Sequence, residues 1–187
     1  IKRACRMLGI PHEKSQQGIH ETNAVIERMN QDIEQGSRAS LIEAGLPACF
    51  WTWSVPHYCF VENIMTDDKG ESPWFRRHKH HFDGLALPFG CLVYFKPSPT
   101  KEEPEKSSGK LMPGLFLGYR LAPGGDWNGE YWVESLDLFC QRKAADFAQE
   151  ADSEKWWTEP HCTKVVKLPK DCLLIHISEP TRPIDIA

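Results

Sequence analysis

The chain has little of what would make its function obvious. It lacks a basic excess: 22 Lys and Arg stand against 26 Asp and Glu, for a net charge of −4. The whole-chain electrostatic footprint of a nucleic-acid binder is therefore missing, and any such footprint has to be local. It has seven cysteines, an odd number, and no two of them are spaced as a two-residue pair. That spacing argues against a disulfide framework and against a standard zinc module, and for reduced thiols in an intracellular setting. No apolar run approaches membrane-spanning length, and no signal peptide opens the chain. The first residue is Ile1, which reads as a truncated or processed product.

What is present is enough for one domain or two small ones. The chain has 187 residues and 41% hydrophobic content, ordinary for a globular core. Thr22 is a candidate helix cap, followed by a helical period to about Ala44. Ile26, Met29, Ile33, Ser37, Ser40, Leu41 and Ala44 recur on one face and predict a buried stripe. Asn23, Glu27, Gln31, Glu34 and Arg38 line up on another face, because residues three or four apart stack along a helix. Gly36 weakens this helix by about 1 kcal/mol relative to alanine.

Gly45-Leu46-Pro47 ends the helix, and a second one is expected over roughly Ala48 to Met65. Its aromatics (Phe50, Trp51, Trp53, Tyr58, Phe60) are expected to pack on the first helix and on a sheet outside this chain; base stacking is the sharper alternative. Pro56 predicts a kink or two shorter helices. Asp67 to Gly70 is a turn. Phe75 to Phe82 holds the one concentrated basic patch, with Arg76, Arg77, Lys79 and three histidines. It is open to two readings, phosphate contact or a solvated face.

From Leu87 the period shortens. Residues 91–95, 115–119 and 131–133 read as strands, with a hairpin loop over 123–129 and an exposed charged loop over 98–110. Short strands joined by turns predict a small curled β-barrel. Residues 134–170 are weakly patterned. Trp156-Trp157 either docks on the barrel or anchors a partner.

The ordered series Gly9-Ile10-Pro11-His12, Ser15, Asn23 to Asn30, Leu46-Pro47 and Phe50-Trp51 resembles the integrase of copia-type long-terminal-repeat retrotransposons. The family pattern runs Gly-Ile-x-His, a loop, Asn-Gly-x-x-Glu-Arg-x-Asn, a helix, then Leu-Pro and a Trp. Ser72-Pro73-Trp74, Phe89-Gly90-Cys91 and Gly114 to Tyr119 match the region just after the integrase core in those polyproteins, a small Src-homology-like β-barrel. The resemblance spans roughly residues 8–135. It implies an α+β chain: C-terminal helices of a truncated ribonuclease-H-like core of α/β parentage, followed by a small antiparallel β-barrel. The implied division is 1–68 integrase core, 69–86 basic linker, 87–140 barrel and 141–171 weakly structured. Residues 172–187, with Leu174 to Arg182, resemble the conceptual translation of a sequencing-library adapter.

The resemblance also implies a function. Glu27 matches the third of three acidic ligands for Mg²⁺ or Mn²⁺, used to insert element cDNA into host DNA by strand transfer. Hard cations take carboxylate oxygens, and such transfers use paired ions. Asn23 is placed as a support beside Glu27, and Arg28, Asn30 and Arg38 as phosphate contacts, with Arg76, Arg77 and Lys79 in the basic patch. The partners implied are DNA (element ends and target), the reverse transcriptase segment and further copies of the parent; no membrane is implied. The parent would work in the nucleus and in cytoplasmic particles. The first two acidic ligands are expected upstream, so this segment by itself is expected to be inactive and to bind no metal. The chain departs from the pattern at Ala24, where the family has glycine, in the loop Gln16 to Thr22, and at Pro56. A non-catalytic DNA- or protein-binding module derived from a transposable element is the alternative.

Overall fold

The structure is a computed structural model that describes residues 2–9, 24–68, 70–97, 110–141 and 160–169. Five helices and five strands are built from them. The helices are α1 (Lys2–Met7), α2 (Ala24–Ala44), α3 (Trp51–Ile64), α4 (Pro73–His78) and α5 (Leu136–Gln141), with a single 3-10 turn at Ala48–Phe50 leading into α3. The strands are β1 (Leu92–Phe95), β2 (Met112–Leu121), β3 (Trp127–Ser135), β4 (His161–Thr163) and β5 (Val166–Lys167). The chain is mixed helix and strand, and the sheet is antiparallel throughout.

The helix ends follow from local chemistry. Gly45 closes α2 in the left-handed region, at φ 64°. Its N–H donates to Ile42 and that of Leu46 donates to Leu41, both at 3.1 Å, so two terminal carbonyls are satisfied. Ser72 caps α4 by accepting from the Phe75 N–H at 3.1 Å, and Pro73 fills the first helical position, where no donor is needed. The Ser-Pro-Trp run is thus a helix start that aims Trp74 inward.

Two expectations about the helices are corrected. Pro56 does not split α3, which runs unbroken from Trp51 to Ile64. The proline costs the bond to the Thr52 carbonyl, but Thr52 lies on the exposed side, where water can replace it. The apolar stripe of α2 is buried only in its second half, at Ser37 and Leu41. Ile26 and Met29 stay 63% and 60% exposed, because α3 crosses only the C-terminal half of α2.

That crossing relies on small residues. Ser37 and Ser54 are fully buried, and the Ser54 hydroxyl donates to the Ser37 carbonyl at 2.8 Å. A Cβ on Gly36 would lie 2.1 Å from the Tyr58 ring. The glycine that weakens the helix locally is what lets α3 approach.

The sheet order is β4-β3-β2-β1-β5. β4 and β5 sit at opposite edges yet are separated in sequence only by Lys164 and Val165. So short a connection forces the sheet to curl until its edges approach. The Thr163 hydroxyl, donating to the Lys96 carbonyl at 3.0 Å, ties the β4 edge to the end of β1, the strand next to the opposite edge. The expected strands are therefore present in a half-barrel, with β2 and β3 longer than predicted and β1 one residue shorter. Residues 160–169, read as weakly patterned, supply both edge strands; runs of three and two residues are too short to carry a period.

A single apolar cluster joins α3, α4, the segment 86–87 and the sheet: Phe60, Trp74, Leu87, Phe95, Phe116 and Tyr119 among others. Of the α3 aromatics, Phe60 and Trp53 thus pack on this chain's own sheet, Tyr58 lies against Gly36 of α2, and Trp51 stays exposed. Likewise residues 69–86, expected as a basic linker, contribute Trp74 and Ala86 to the core. A second cluster under α2 joins Leu41, Phe50, Phe89 and Leu117.

Three side chains grip the crossing segment Leu85 to Leu87. The Tyr119 hydroxyl donates to the Leu85 carbonyl at 2.9 Å and accepts from the Leu87 N–H at 3.1 Å. The Tyr131 hydroxyl accepts from the Leu85 N–H at 3.0 Å. From α3, His57 Nε2 lies 2.9 Å from the Leu87 carbonyl. A carbonyl can only accept, so Nε2 carries the proton.

His57 is ringed by Phe89, Phe116 and Tyr119. Burial lowers its pKa from 6.5 to about 4, although the bond to Leu87 opposes the shift. The unfolded chain therefore takes up this proton first as the pH falls. His57's contribution is complete above about pH 6.5 and is lost as the pH drops toward 4. The shift amounts to about 3 kcal/mol. Urea unfolding followed from pH 7 to pH 4 should show that loss, and His57→Gln should flatten it. An unchanged pH slope in the variant would show that other groups control acid sensitivity.

Gly90 stands at φ 69°, and a Cβ there would lie 2.6 Å from the Ala44 Cβ. Its N–H donates to the Phe116 carbonyl at 2.8 Å. Gly90→Ala combines backbone strain with a clash and is expected to destabilise the fold by about 2 kcal/mol. A denaturation midpoint equal to that of the parent sequence would contradict this.

Candidate nucleic-acid interface

Glu27 lies in the first turn of α2 and is exposed. It sits in a shallow depression lined by Ala24, Val25, Glu27, Arg28 and Gln31, with no second carboxylate among them. Among the described residues no three His, Cys, Asp or Glu side chains converge as metal ligands. The residues present do not fit a metal pair, which needs several oxygens from more than one side chain. Asn23, the expected support for Glu27, lies outside the described residues, as do residues 98–109 and Trp156-Trp157.

The expected nucleic-acid contacts fall into two groups. Arg28, Asn30 and Arg38 ride on the exposed side of α2, and Arg76, Arg77 and Lys79 on α4 and its C-cap. α2 and α4 each pack on α3, which keeps the groups on separate helices.

The partners of these cations differ. Arg38 pairs with Glu34 at 2.8 Å one helical turn away, with both side chains more than half exposed. Such a pair contributes a few tenths of a kcal/mol and yields readily to a phosphate. Arg76 bonds Asp67 at 2.9 Å and approaches Glu71 at 3.9 Å, which ties α4 to the preceding turn. It acts as a strut. The Arg77 guanidinium donates instead to the Gly124 carbonyl in the β2–β3 turn. It has no carboxylate partner among the described residues, and four of its five N–H donors remain for a ligand. Lys79 takes the left-handed position that ends α4, at φ 63°, and is exposed.

The histidines of the patch are partly structural. His78 stacks on Trp74, with ring centroids 4.0 Å apart, and its Nδ1 lies 3.9 Å from Asp126. His81 stacks on Phe75 at 4.6 Å.

Two groups of polar residues escaped the sequence reading. The first is the His57, Tyr119 and Tyr131 grip. Its members are far apart in the chain, and no local pattern marks them. The second lies on the β2–β3 hairpin. Arg120 bonds Glu130 at 2.6 Å and reaches over the Trp132 ring at 5.7 Å. The Arg120 bond holds the Glu130 carboxyl below its ordinary range. Nearby, burial pushes the Cys162 thiol up, which leaves it a poor nucleophile. Positions facing across a hairpin were the signal available for that pair.

Comparison with known proteins adds a parentage. The chain is 32% identical over 120 residues, 62% of its length, to the retrovirus-related Pol polyprotein from transposon TNT 1-94 of Nicotiana tabacum. It spans 9% of the length of that polyprotein. This similarity supports a retrotransposon-derived protein. No protein-family profile matches the chain, and no solved structure matches it.

Proposed function

We propose that the chain is the C-terminal part of a copia-type integrase core joined to the Src-homology-like barrel that comes after it. The similarity to the Pol polyprotein carries this reading. The exposed face of α2 fits it: Ile26 and Met29 form half of an apolar stripe with no covering layer among the described residues, beside the exposed Glu27. In the intact parent, the integrase would insert element cDNA into host DNA, with Glu27 as one of three ligands for Mg²⁺ or Mn²⁺. This segment supplies one carboxylate, and one carboxylate does not hold a metal pair. Its own contribution is to bind and position DNA through Arg28, Asn30, Arg38, Arg77 and Lys79. Titration calorimetry with Mn²⁺ should therefore show no micromolar site. A micromolar site that vanishes in Glu27→Gln would overturn the assignment of Glu27 as an incomplete ligand set.

A second reading, a non-catalytic binding module, is favoured by one observation: among the described residues Arg77 has only a backbone carbonyl as partner. Both readings require phosphate contact, and phosphate contact weakens steeply with salt. In gel-shift titrations across salt, removing Arg77 and Lys79 together should flatten the logarithmic salt slope by about 2. Removing Arg76 should change it little, because that side chain is held by Asp67 and Glu71. An unchanged slope in the Arg77 and Lys79 double variant would exclude the α4 patch as the DNA contact.

A further inference from the structure

A cleft of about 260 Å³ opens between α3, α4 and the β2–β3 turn. Pro56, Pro73 and Leu121 form its walls, and Phe60 and Trp74 lie at its base. Arg77, His78 and Asn63 stand around it. None of the described residues lining it is acidic. Pro56, Pro73 and Leu121 are exposed, so the apolar surface is reachable from solvent. The cleft thus combines apolar walls, an amide and a guanidinium with donors to spare.

We propose that this cleft receives one unpaired nucleotide of a single-stranded nucleic acid. The proposal rests on the nucleic-acid reading above and names the form of strand that the site selects. An unpaired nucleotide offers an apolar face and one negative phosphate, which match the walls and Arg77 respectively. A duplex turns its base faces inward, stacked on their neighbours, and presents only its sugar-phosphate exterior, so it can touch Arg77 but cannot enter. The volume lies just below the usual range for small-ligand pockets and suits one nucleotide. The turn that carries Gly124 also anchors Arg77 at the mouth, which fixes the guanidinium over the cleft.

The test is fluorescence anisotropy of the full chain at low salt, with labelled oligothymidylate and a blunt duplex of equal length. Oligothymidylate is expected to bind about tenfold tighter than the duplex, and Arg77→Gln to remove about tenfold of that affinity. Asn63→Trp fills the cleft from an exposed position without changing charge. It is expected to erase the preference for the unpaired strand while leaving salt-dependent duplex binding. Thermal melts of both variants identify any loss of fold. Equal affinity for the two forms, or a preference that survives in Asn63→Trp, would overturn the cleft proposal and leave the broader nucleic-acid reading standing. Absence of salt-dependent binding to either form would remove both. Displacement of oligothymidylate by an equal concentration of poly-glutamate would overturn the proposal in favour of an acidic peptide.

Discussion

The fold depends on how firmly the segment Leu85 to Leu87 is held. Two tyrosines from the sheet and one histidine from α3 bind its backbone. Burial raises the Tyr119 pKa, so its hydroxyl stays protonated and can donate and accept at once. Without these partners a buried stretch of irregular backbone would carry unmet polar groups, at about 1–3 kcal/mol each. With them, helices and sheet close on one strip of chain, and the packing of α3 on β2 follows. The register of β2 against β3 shifts between Phe116 and Gly118, and Gly118 takes φ 144°, a backbone conformation that favours glycine.

This arrangement changes the meaning of the motifs. Ser72-Pro73-Trp74 is a helix start that seats an aromatic in the core. Phe89-Gly90-Cys91 lets the chain pass against Ala44 and enter β1. Gly114 makes room for Phe95 and Val133, whose atoms would lie 2.8 and 2.5 Å from a Cβ there. These residues serve the joint between helices and sheet. The exposed cations carry the functional argument, and their value depends on what they already touch. Arg76 is neutralised by two carboxylates, whereas Arg77 next to it in sequence is not. The difference comes from side-chain direction: one residue faces the Asp67 turn and the other the β2–β3 turn.

The uncovered end of α2 is the counterpart of that tightly held centre. Its apolar residues have the right spacing for burial, and Leu41 and Ser37 find it. Ile26 and Met29 do not, because nothing among the described residues reaches them. Glu27 stands on this same exposed end, whereas α4 is held against α3 and the β2–β3 turn.

The amino-acid sequence by itself determined the local elements: the helical period of α2, the stop at Gly45, and the strands of the sheet. Each depends on neighbours within a few residues, and such preferences are written in the order of the residues. Periodicity also marked which α2 residues could be buried, but not which would be. The tertiary structure alone decided that Pro56 stays within one helix, that residues 161–167 complete the sheet, and that Arg77 meets a backbone carbonyl rather than a carboxylate among the described residues. These outcomes depend on contacts between residues distant in sequence: the Thr52 face turned to water, the two-residue step that curls the sheet, and the Gly124 carbonyl that meets Arg77. No pattern within a short window encodes such meetings, since the geometry that brings them about exists only once the chain has folded.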